Sequence, residues 1–304
     1  MRRVLFCVAG LGLALVGRPT ETPAEVVFEA TSPYHNIRVE DRGDLRVLCF
    51  DNTEESRMSR RNPLQGHFEY TEYFHLPWLW HTQMSRVLMI GLGGGSTQRA
   101  YAHYYPDVGV ETVEIDPLVV QVARDYFGFK ESPTQRVVVQ DGRMHLRRDR
   151  TVQDAILLDA YSENRYGAFV PYHLTTREFF ELARQRLSTN GVLAFNVMGT
   201  FQGWRADILG SIYQTLTRVF PQVYMFPARS SLNVVVIAVN ADRRLSRAEL
   251  QQRAEGLIRS GRVRLPTFRE RLAVLRTDPP PAFKQCQVLT DDFAPVDRML
   301  SPDR

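Results

Sequence analysis

The sequence predicts an α/β protein in which a doubly wound, largely parallel sheet follows a small antiparallel β domain. Apolar residues 87–90 run without a break into a glycine-rich segment, and a short apolar run bounded by glycines is typical of a buried parallel strand. Three later apolar runs end in acidic residues, at positions 114, 141 and 159. The carboxyl ends of the strands in a doubly wound sheet lie at one edge, where such folds bind ligands. We therefore expect the glycines and the acids to border a shared site.

The chain of 304 residues is long enough for one large α/β domain and a smaller accessory region. We divide it into a leader (1–20), an N-terminal β domain (21–66), the α/β domain (67–240), and a C-terminal helix with an irregular tail (241–304). The net charge is +4, but no basic run exceeds three residues, so we expect no nucleic-acid partner. The three cysteines and seven histidines show no metal-ligand spacing, and we predict no structural metal.

The leader begins with two arginines followed by thirteen uncharged, mostly apolar residues at 4–16. This order is typical of an export signal, and the apolar run is short for a membrane span. We expect export or membrane association through residues 4–16. The alternative is a wrongly chosen start codon or a disordered leader, in which case the protein is expected to be cytoplasmic.

The N-terminal region alternates in polarity in the manner of β-strands at 26–28, 37–40 and 45–50. The segment 41–44 has the composition of a turn, so the last two strands are predicted to form a hairpin. Residues 54–65 are polar and are predicted to be a loop. The aromatic-rich segment 67–81 is predicted to be helical up to Pro77, with most of its aromatic side chains in the core.

In the α/β domain we predict helices at 96–105, 117–127, 142–148, 174–187 and 204–219. Ser96 or Thr97 could cap the first helix, and Thr189-Asn190-Gly191 is predicted to end the fourth. Residues 192–197 are the next buried strand, and 223–226 with 233–239 are predicted to form a closing pair. Ser246-Arg-Ala-Glu249 is a capping box that opens a helix to about residue 258.

The glycines are Gly91, Gly93 and Gly95, a spacing that differs from the Gly-x-Gly-x-x-Gly of dinucleotide folds. It resembles the first motif of S-adenosylmethionine-type folds, although a plain tight turn is the alternative. Glu114 follows Gly91 by 23 residues, at the tip of the next predicted strand. An acid at this place can bind a ribose diol through two hydrogen bonds.

The order of motifs resembles the polyamine aminopropyltransferase (spermidine synthase) family over roughly residues 30–240. The segments that carry the resemblance are 32–37 (Ser-Pro-Tyr-His-Asn-Ile), 68–72 (Phe-Glu-Tyr-Thr-Glu), 87–99, 114–116, 141–142 and 157–159. The tail 290–297 resembles that of a branch of this family whose members are often fused to membrane segments. The resemblance implies decarboxylated S-adenosylmethionine as cosubstrate, a small amine as acceptor, and a homodimer. It also implies a nucleoside site made of His35, Gly91, Gly93, Gly95, Glu114, Asp141 and Gly142.

The family reaction needs a neutral amine that attacks the carbon beside a sulfonium. An alkylammonium has a pKa of about 10, so it must lose a proton first, and a nearby carboxylate can accept that proton. The resemblance assigns this role to Asp159, with Tyr70 orienting the amine. The alternatives are a helix N-cap for Asp159 and a core aromatic residue for Tyr70.

Several positions depart from the family pattern. Two acidic residues that resemble amine ligands are replaced here by Gly94 and Ser162, and a nucleoside-binding glutamine is replaced by His35. A diamine needs a carboxylate near each end. We expect Glu163, Asp291 or Asp292 to substitute.

Two other functions remain open. A methyltransferase on the same fold would need a cation for the methionine carboxylate of its donor, which Arg99 or Arg165 could supply. The second open function is that of a non-catalytic, membrane-tethered module that binds nucleosides or polyamines.

Overall fold

The computed structural model describes residues 24–164, 167–203, 205–281 and 283–300. Its first unit is an antiparallel sheet in the order β1-β2-β3-β4, which confirms the predicted hairpin. The strands are β1 (Glu25–Thr31), β2 (Asn36–Arg42), β3 (Leu45–Phe50) and β4 (Thr53–Ser59). The prediction of a loop at 54–65 is wrong for residues 54–59, which belong to β4. Its side chains are polar, so the sequence lacks an apolar signal there, and pairing with β3 makes the strand.

The second unit is a seven-stranded sheet in the order β12-β13-β11-β8-β5-β6-β7, in which β13 runs antiparallel to both of its neighbours. A two-stranded ribbon of β9 and β10 stands apart from it. The strands are β5 (Arg86–Ile90), β6 (Gly109–Glu114), β7 (Gln135–Val139), β8 (Gln153–Leu158), β9 (Ser162–Asn164), β10 (Gly167–Phe169), β11 (Leu187–Met198), β12 (Gln222–Pro227) and β13 (Asn233–Val239). The predicted α/β fold, with a Rossmann-like sheet and a small antiparallel N-terminal sheet, is confirmed.

Helices cover both faces of the large sheet. They are α1 (Ser96–Tyr104), α2 (Pro117–Phe127), α3 (Gly142–Arg148), α4 (Arg177–Gln185), α5 (Ala206–Val219), α6 (Arg247–Arg259) and α7 (Phe268–Ala273), with 3-10 turns at Glu69–Leu79, Tyr172–Leu174, Phe283–Gln285 and Arg298–Leu300. Alternate residues of β5 enter opposite cores: Val87 and Met89 pack on one face, and Leu88 and Ile90 on the other. This two-sided burial explains why the strand is apolar throughout.

Two predicted helix ends differ from the structure. Helix α1 begins after Gly95, whose φ is 70°, so neither Ser96 nor Thr97 is the cap. Helix α4 ends at Gln185, and the segment 189–191 belongs to β11 instead. Asn190 does have a left-handed φ of 62°, but it lies where the register of β11 against β8 shifts. The capping box of Ser246 and Glu249 at the start of α6 is present as predicted.

The chain order of the strands reverses at the centre of the large sheet. From β5 the chain proceeds to β6 and β7 on one side, and then to β8 and β11 on the other. Such a reversal leaves a crevice at the carboxyl ends of the two central strands, which is where doubly wound folds bind ligands. The glycine segment follows β5, and Asp159 follows β8, so both lie at this crevice.

The described part of the chain contains no helix that is long and apolar enough to span a membrane. The expected signal or anchor at residues 4–16 lies outside the described residues. The homodimer likewise stays a prediction.

Candidate active site

One cavity of about 190 Å³ lies at the crevice, between the antiparallel sheet and the carboxyl edge of the large sheet. The predicted site residues that line it are His35, Tyr70, Gly91, Gly93, Glu114, Asp141, Gly142 and Asp159. These residues come from six separate stretches of the chain, so only the fold brings them together.

Two glycines form the floor of the cavity because no side chain fits there. A Cβ added to Gly91 would lie 2.0 Å from the carbonyl oxygen of Asp159, and its φ of +100° also disfavours any other residue. A Cβ added to Gly142 would lie 2.4 Å from Ile90 Cγ2. Close packing against neighbouring atoms therefore requires glycine at both positions, and both glycines line the cavity.

Glu114 closes the cavity at the end of β6. Its two carboxylate oxygens accept hydrogen bonds from the backbone N–H groups of Leu92 (2.9 Å) and Asp116 (3.0 Å). These bonds fix the carboxylate, while burial raises its pKa. Each oxygen has a further lone pair, so the group can accept hydrogen bonds from a diol.

Asp141 lies on the neighbouring wall and caps α3 by accepting from the N–H of Met144 at 2.8 Å. Its second oxygen lies 2.8 Å from Nε2 of His173, which also lines the cavity. The hydrogen bond from His173 lowers the pKa of the Asp141 carboxyl. Asp141 is thus an ionised acceptor held between α3 and the 3-10 turn that carries His173.

His35 enters from the antiparallel sheet. Its ring stacks on Phe50 with centroids 4.3 Å apart. The loop that carries it is tied to the large domain, because the Ser32 hydroxyl donates to Asp116 at 2.5 Å. Both stacked rings line the cavity.

Asp159 lines the same cavity just after the end of β8. One carboxylate oxygen accepts from the Tyr70 hydroxyl at 3.2 Å, and the other accepts from Asn196 Nδ2 at 2.9 Å. Asn196 in turn accepts from Asn233 Nδ2 at 3.0 Å. This relay of buried amides holds the carboxylate in one orientation.

Burial raises the pKa of Asp159 to about 6, and the hydrogen bonds from Asn196 and Tyr70 limit the rise. A carboxylate with this pKa is ionised at neutral pH but is a stronger base than an exposed aspartate. Burial and the charge of Asp159 also raise the pKa of Tyr70, so its phenol stays protonated and acts as a donor.

Comparison with known proteins assigns the family. Residues 67–243 match the spermine/spermidine synthase domain. The chain is 33% identical over 283 residues to a polyamine aminopropyltransferase of Vibrio vulnificus, with 89% of this chain and 90% of the relative covered. The chain belongs to the spermine/spermidine synthase family. The prediction of an enzyme similar to polyamine aminopropyltransferases is confirmed at this level.

Solved structures agree with the fold of the family. A probable spermidine synthase from Corynebacterium glutamicum superposes with a TM-score of 0.65 at 19% identity, covering 89% of this chain and 97% of that one. Human methyltransferase-like protein 13 superposes with a TM-score of 0.57 at 24% identity, covering 65% and 94%. These likenesses concern the fold alone, which both kinds of transferase share.

Three of the predicted site residues do not line the cavity. Gly95 shapes the turn into α1. Asp291 bonds to Arg143 at 2.6 and 2.7 Å and accepts from the Thr176 hydroxyl, so it ties the C-terminal tail to α3 and α4. Asp292 is exposed. The side chain of Glu163 lies outside the described residues.

Arg99, the proposed partner of a methionine carboxylate, is directed elsewhere. Its Nη1 donates to the carbonyl oxygens of Phe127 and Gly94 and is engaged in holding the glycine loop. It does not line the cavity. Arg165 lies outside the described residues.

Sequence reasoning missed four residues that line the cavity or support Asp159: Glu55, Tyr161, His173 and Asn196. Asn196 was detectable, because it is the one amide in the otherwise apolar run 192–197 and a buried amide requires a partner. Glu55 lies in the polar segment 54–65, for which the sequence predicts a loop. Tyr161 and His173 follow β8 in the chain, where nothing in their spacing marks them.

A cluster of possible metal ligands lies on β6 and α3, apart from the cavity. Glu111, His145 and Asp149 offer ligand atoms within 4.8 Å of one another. However, His145 Nε2 lies 2.8 Å from Glu111, and the Arg136 guanidinium also contacts this carboxylate. These contacts make the group an ion-pair network.

Proposed function

We propose that the protein transfers an aminopropyl group from decarboxylated S-adenosylmethionine to an amine, with Asp159 as the general base. The observation that carries the proposal is a single cavity that joins Glu114 and Asp141 to a buried, hydrogen-bonded Asp159. Membership of the spermine/spermidine synthase family supports the reaction class.

The residues present fit the nucleoside donor. Glu114 would accept the ribose hydroxyls, and Asp141 and Gly142 would border the adenine beside His173. Gly91 and Gly93 would border the donor beside these residues. The donor supplies the electrophile, a carbon beside a sulfonium, so that carbon–nitrogen bond formation releases a neutral thioether.

Asp159 would prepare the attacking amine. The ammonium form of an amine has a pKa of about 10 and lacks a lone pair, so it must lose a proton before attack. Asp159 would accept that proton, and the negative carboxylate would stabilise the charge that grows on nitrogen. Tyr70 would orient the amine, because its hydroxyl lies 3.2 Å from the same carboxylate oxygen.

The test is the release of methylthioadenosine from decarboxylated S-adenosylmethionine in the presence of an amine. Asp159→Asn should lower kcat by about 10²- to 10⁴-fold, the usual range for a general base. The variant should still bind methylthioadenosine by calorimetry, because Glu114 and Asp141 are unchanged. Asp125→Asn, on the exposed face of α2, is the matched control and should retain full activity.

Two results would refute the proposal. One is an Asp159→Asn variant that turns over at the wild-type rate. The other is a wild-type protein that consumes S-adenosylmethionine, and not its decarboxylated form, with transfer of a methyl group.

A further inference from the structure

The tail segment, which we define as residues 289–300, returns to the large domain and is anchored in its core. Leu289 and Val296 are fully buried, and Met299 is 3% exposed, in the core that also contains residues of α4 and α5. The backbone N–H of Leu289 donates to the Thr215 hydroxyl at 2.9 Å. The polar residues between the first two anchors are therefore held in place at the surface of the domain.

Asp291 lies in this polar stretch and attaches it to the start of α4. Its Oδ1 accepts from the Thr176 hydroxyl at 2.7 Å, and its backbone N–H donates to Glu178 Oε2 at 3.0 Å. The backbone N–H of Arg177 donates to the carbonyl oxygen of Leu289 at 2.8 Å. Three hydrogen bonds thus join the tail segment to the first turn of α4, which directly follows the 3-10 turn at the cavity wall.

Arg143 links Asp291 to that 3-10 turn. Its guanidinium donates two hydrogen bonds to the Asp291 carboxylate, at 2.6 and 2.7 Å, and a third to the carbonyl oxygen of His173 at 3.1 Å. Arg143 is only 8% exposed, and two parallel bonds from a planar guanidinium fix its orientation on a carboxylate. The ion pair with Asp291 therefore determines where the guanidinium holds the backbone of His173.

The ring of His173 continues this chain of contacts into the nucleoside cavity. His173 and Asp141 both line the cavity, and His173 Nε2 lies 2.8 Å from Asp141 Oδ2. An ionised carboxylate only accepts hydrogen bonds, so this nitrogen carries the proton. The other oxygen of Asp141 accepts from the N–H of Met144 at 2.8 Å, so both oxygens are held. A group that is fixed before binding loses less conformational entropy when its ligand enters.

We propose that Arg143 and Asp291 are positioning residues, which hold His173 and thereby Asp141 in place for the nucleobase of the donor. This inference rests on the proposed function and names the residues that set the affinity for its donor. It gives the tail segment a role in binding although none of its residues lines the nucleoside cavity.

The chemical step does not depend on this chain of contacts. Asp159 is held by Tyr70 and Asn196, and neither Arg143 nor Asp291 is among its hydrogen-bond partners. Loss of the ion pair should therefore raise the KM of the donor and leave kcat unchanged. Partial unfolding would instead reduce the fraction of active enzyme and so lower kcat. The two parameters separate a positioning role from a purely structural one.

The experiment measures the Kd of methylthioadenosine by calorimetry, together with KM and kcat for decarboxylated S-adenosylmethionine and one amine. Asp291→Asn should raise Kd and KM by about tenfold, the equivalent of one hydrogen bond to a charged group, and should change kcat by less than about twofold. The matched control is Asp297→Asn, because Asp297 is an exposed aspartate of the same tail segment. This control should bind and react as the wild type does.

Substitutions at His173 test the last link. His173→Leu removes the ring N–H and should raise the Kd of methylthioadenosine by about tenfold, whereas His173→Gln keeps an N–H donor and should stay within about threefold of the wild type. The double variant of His173→Leu and Asp291→Asn should bind little worse than either single variant, because both substitutions break the same chain of contacts.

Arg143→Lys is a second test, which decides the question if Asp291→Asn does not fold. The lysine keeps the positive charge but lacks the planar fork, so it should also raise the Kd of methylthioadenosine. Arg148→Lys, on the exposed part of the same helix, is its control and should leave the Kd unchanged.

Three results would overturn the inference. In the first, Asp291→Asn and Arg143→Lys bind methylthioadenosine as tightly as the wild type. In the second, kcat falls while KM and Kd stay the same, which would assign the ion pair to stability alone. In the third, the effects of His173→Leu and Asp291→Asn on Kd multiply, which would show that they act independently. A wild-type protein that does not bind methylthioadenosine would refute the proposed function itself.

Discussion

Removal of the amide at Asn196 should move the pH dependence of the reaction. Asn196 is 1% exposed and donates to Asp159 Oδ1 at 2.9 Å, a bond that stabilises the ionised carboxylate. A hydrogen bond to a charged group contributes about 1.5–3 kcal/mol, and one pKa unit corresponds to about 1.4 kcal/mol. Asn196→Ala should therefore raise the pKa of Asp159 by about one to two units, from about 6 to about 7–8.

The assay is the pH profile of kcat/KM between pH 5 and pH 9, from methylthioadenosine release with one amine. Titration of the amine affects wild type and variant alike, so the displacement between the two acid limbs reports the pKa of Asp159. Asn240→Ala is the control and should leave the limb in place, because Asn240 follows β13 and bonds to Arg184 and Ser188, away from Asp159. An Asn196→Ala profile that is lower at every pH but not displaced would refute the role assigned to this amide.

Three further predictions concern stability and the cavity floor. Asp159→Asn should stabilise the fold at pH 8 by up to about 3 kcal/mol but not at pH 4, because the protonated Asp159 stabilises the fold fully below about pH 4 and this stability is lost as the pH rises through the raised pKa of about 6. Thermal melts at both pH values check this prediction, and equal shifts of the melting temperature at the two pH values would contradict it. Gly91→Ala should abolish turnover, since its Cβ would lie 2.0 Å from the backbone oxygen of Asp159. The control Gly256→Ala has open space around it in α6, so it should be active and should raise the free energy of unfolding in urea by up to about 1 kcal/mol. Arg271→Met should lower the free energy of unfolding in urea by about 3–5 kcal/mol, because it removes the guanidinium that pairs with Glu69 and Glu72. A loss below about 1 kcal/mol would contradict this.

Much of the large sheet could be predicted because its signals are local. The helix at 117–127 was bounded correctly, since Pro117 opens it after the Asp116 cap and Gly128 ends it. The central strand was evident because burial on both faces makes every residue apolar. The acids at 114, 141 and 159 could be expected to converge, since parallel strands end at one edge.

The missed parts depend on distant contacts. Strand β4 has polar side chains and exists because β3 pairs with it. Asn196 bonds to a residue 37 positions earlier, and Asp291 bonds to one 148 positions earlier. An acid in a polar tail has no local feature that distinguishes a tie to Arg143 from a ligand contact.

The central claim is that one cavity holds the nucleoside and the attacking amine together beside Asp159. The most direct test is a crystal structure of the protein with methylthioadenosine and an amine. We predict ribose hydroxyls within hydrogen-bond distance of Glu114, adenine beside Asp141, and the amine nitrogen at the Asp159 carboxylate. A nucleoside bound at another surface, or an amine bound away from Asp159, would contradict the account.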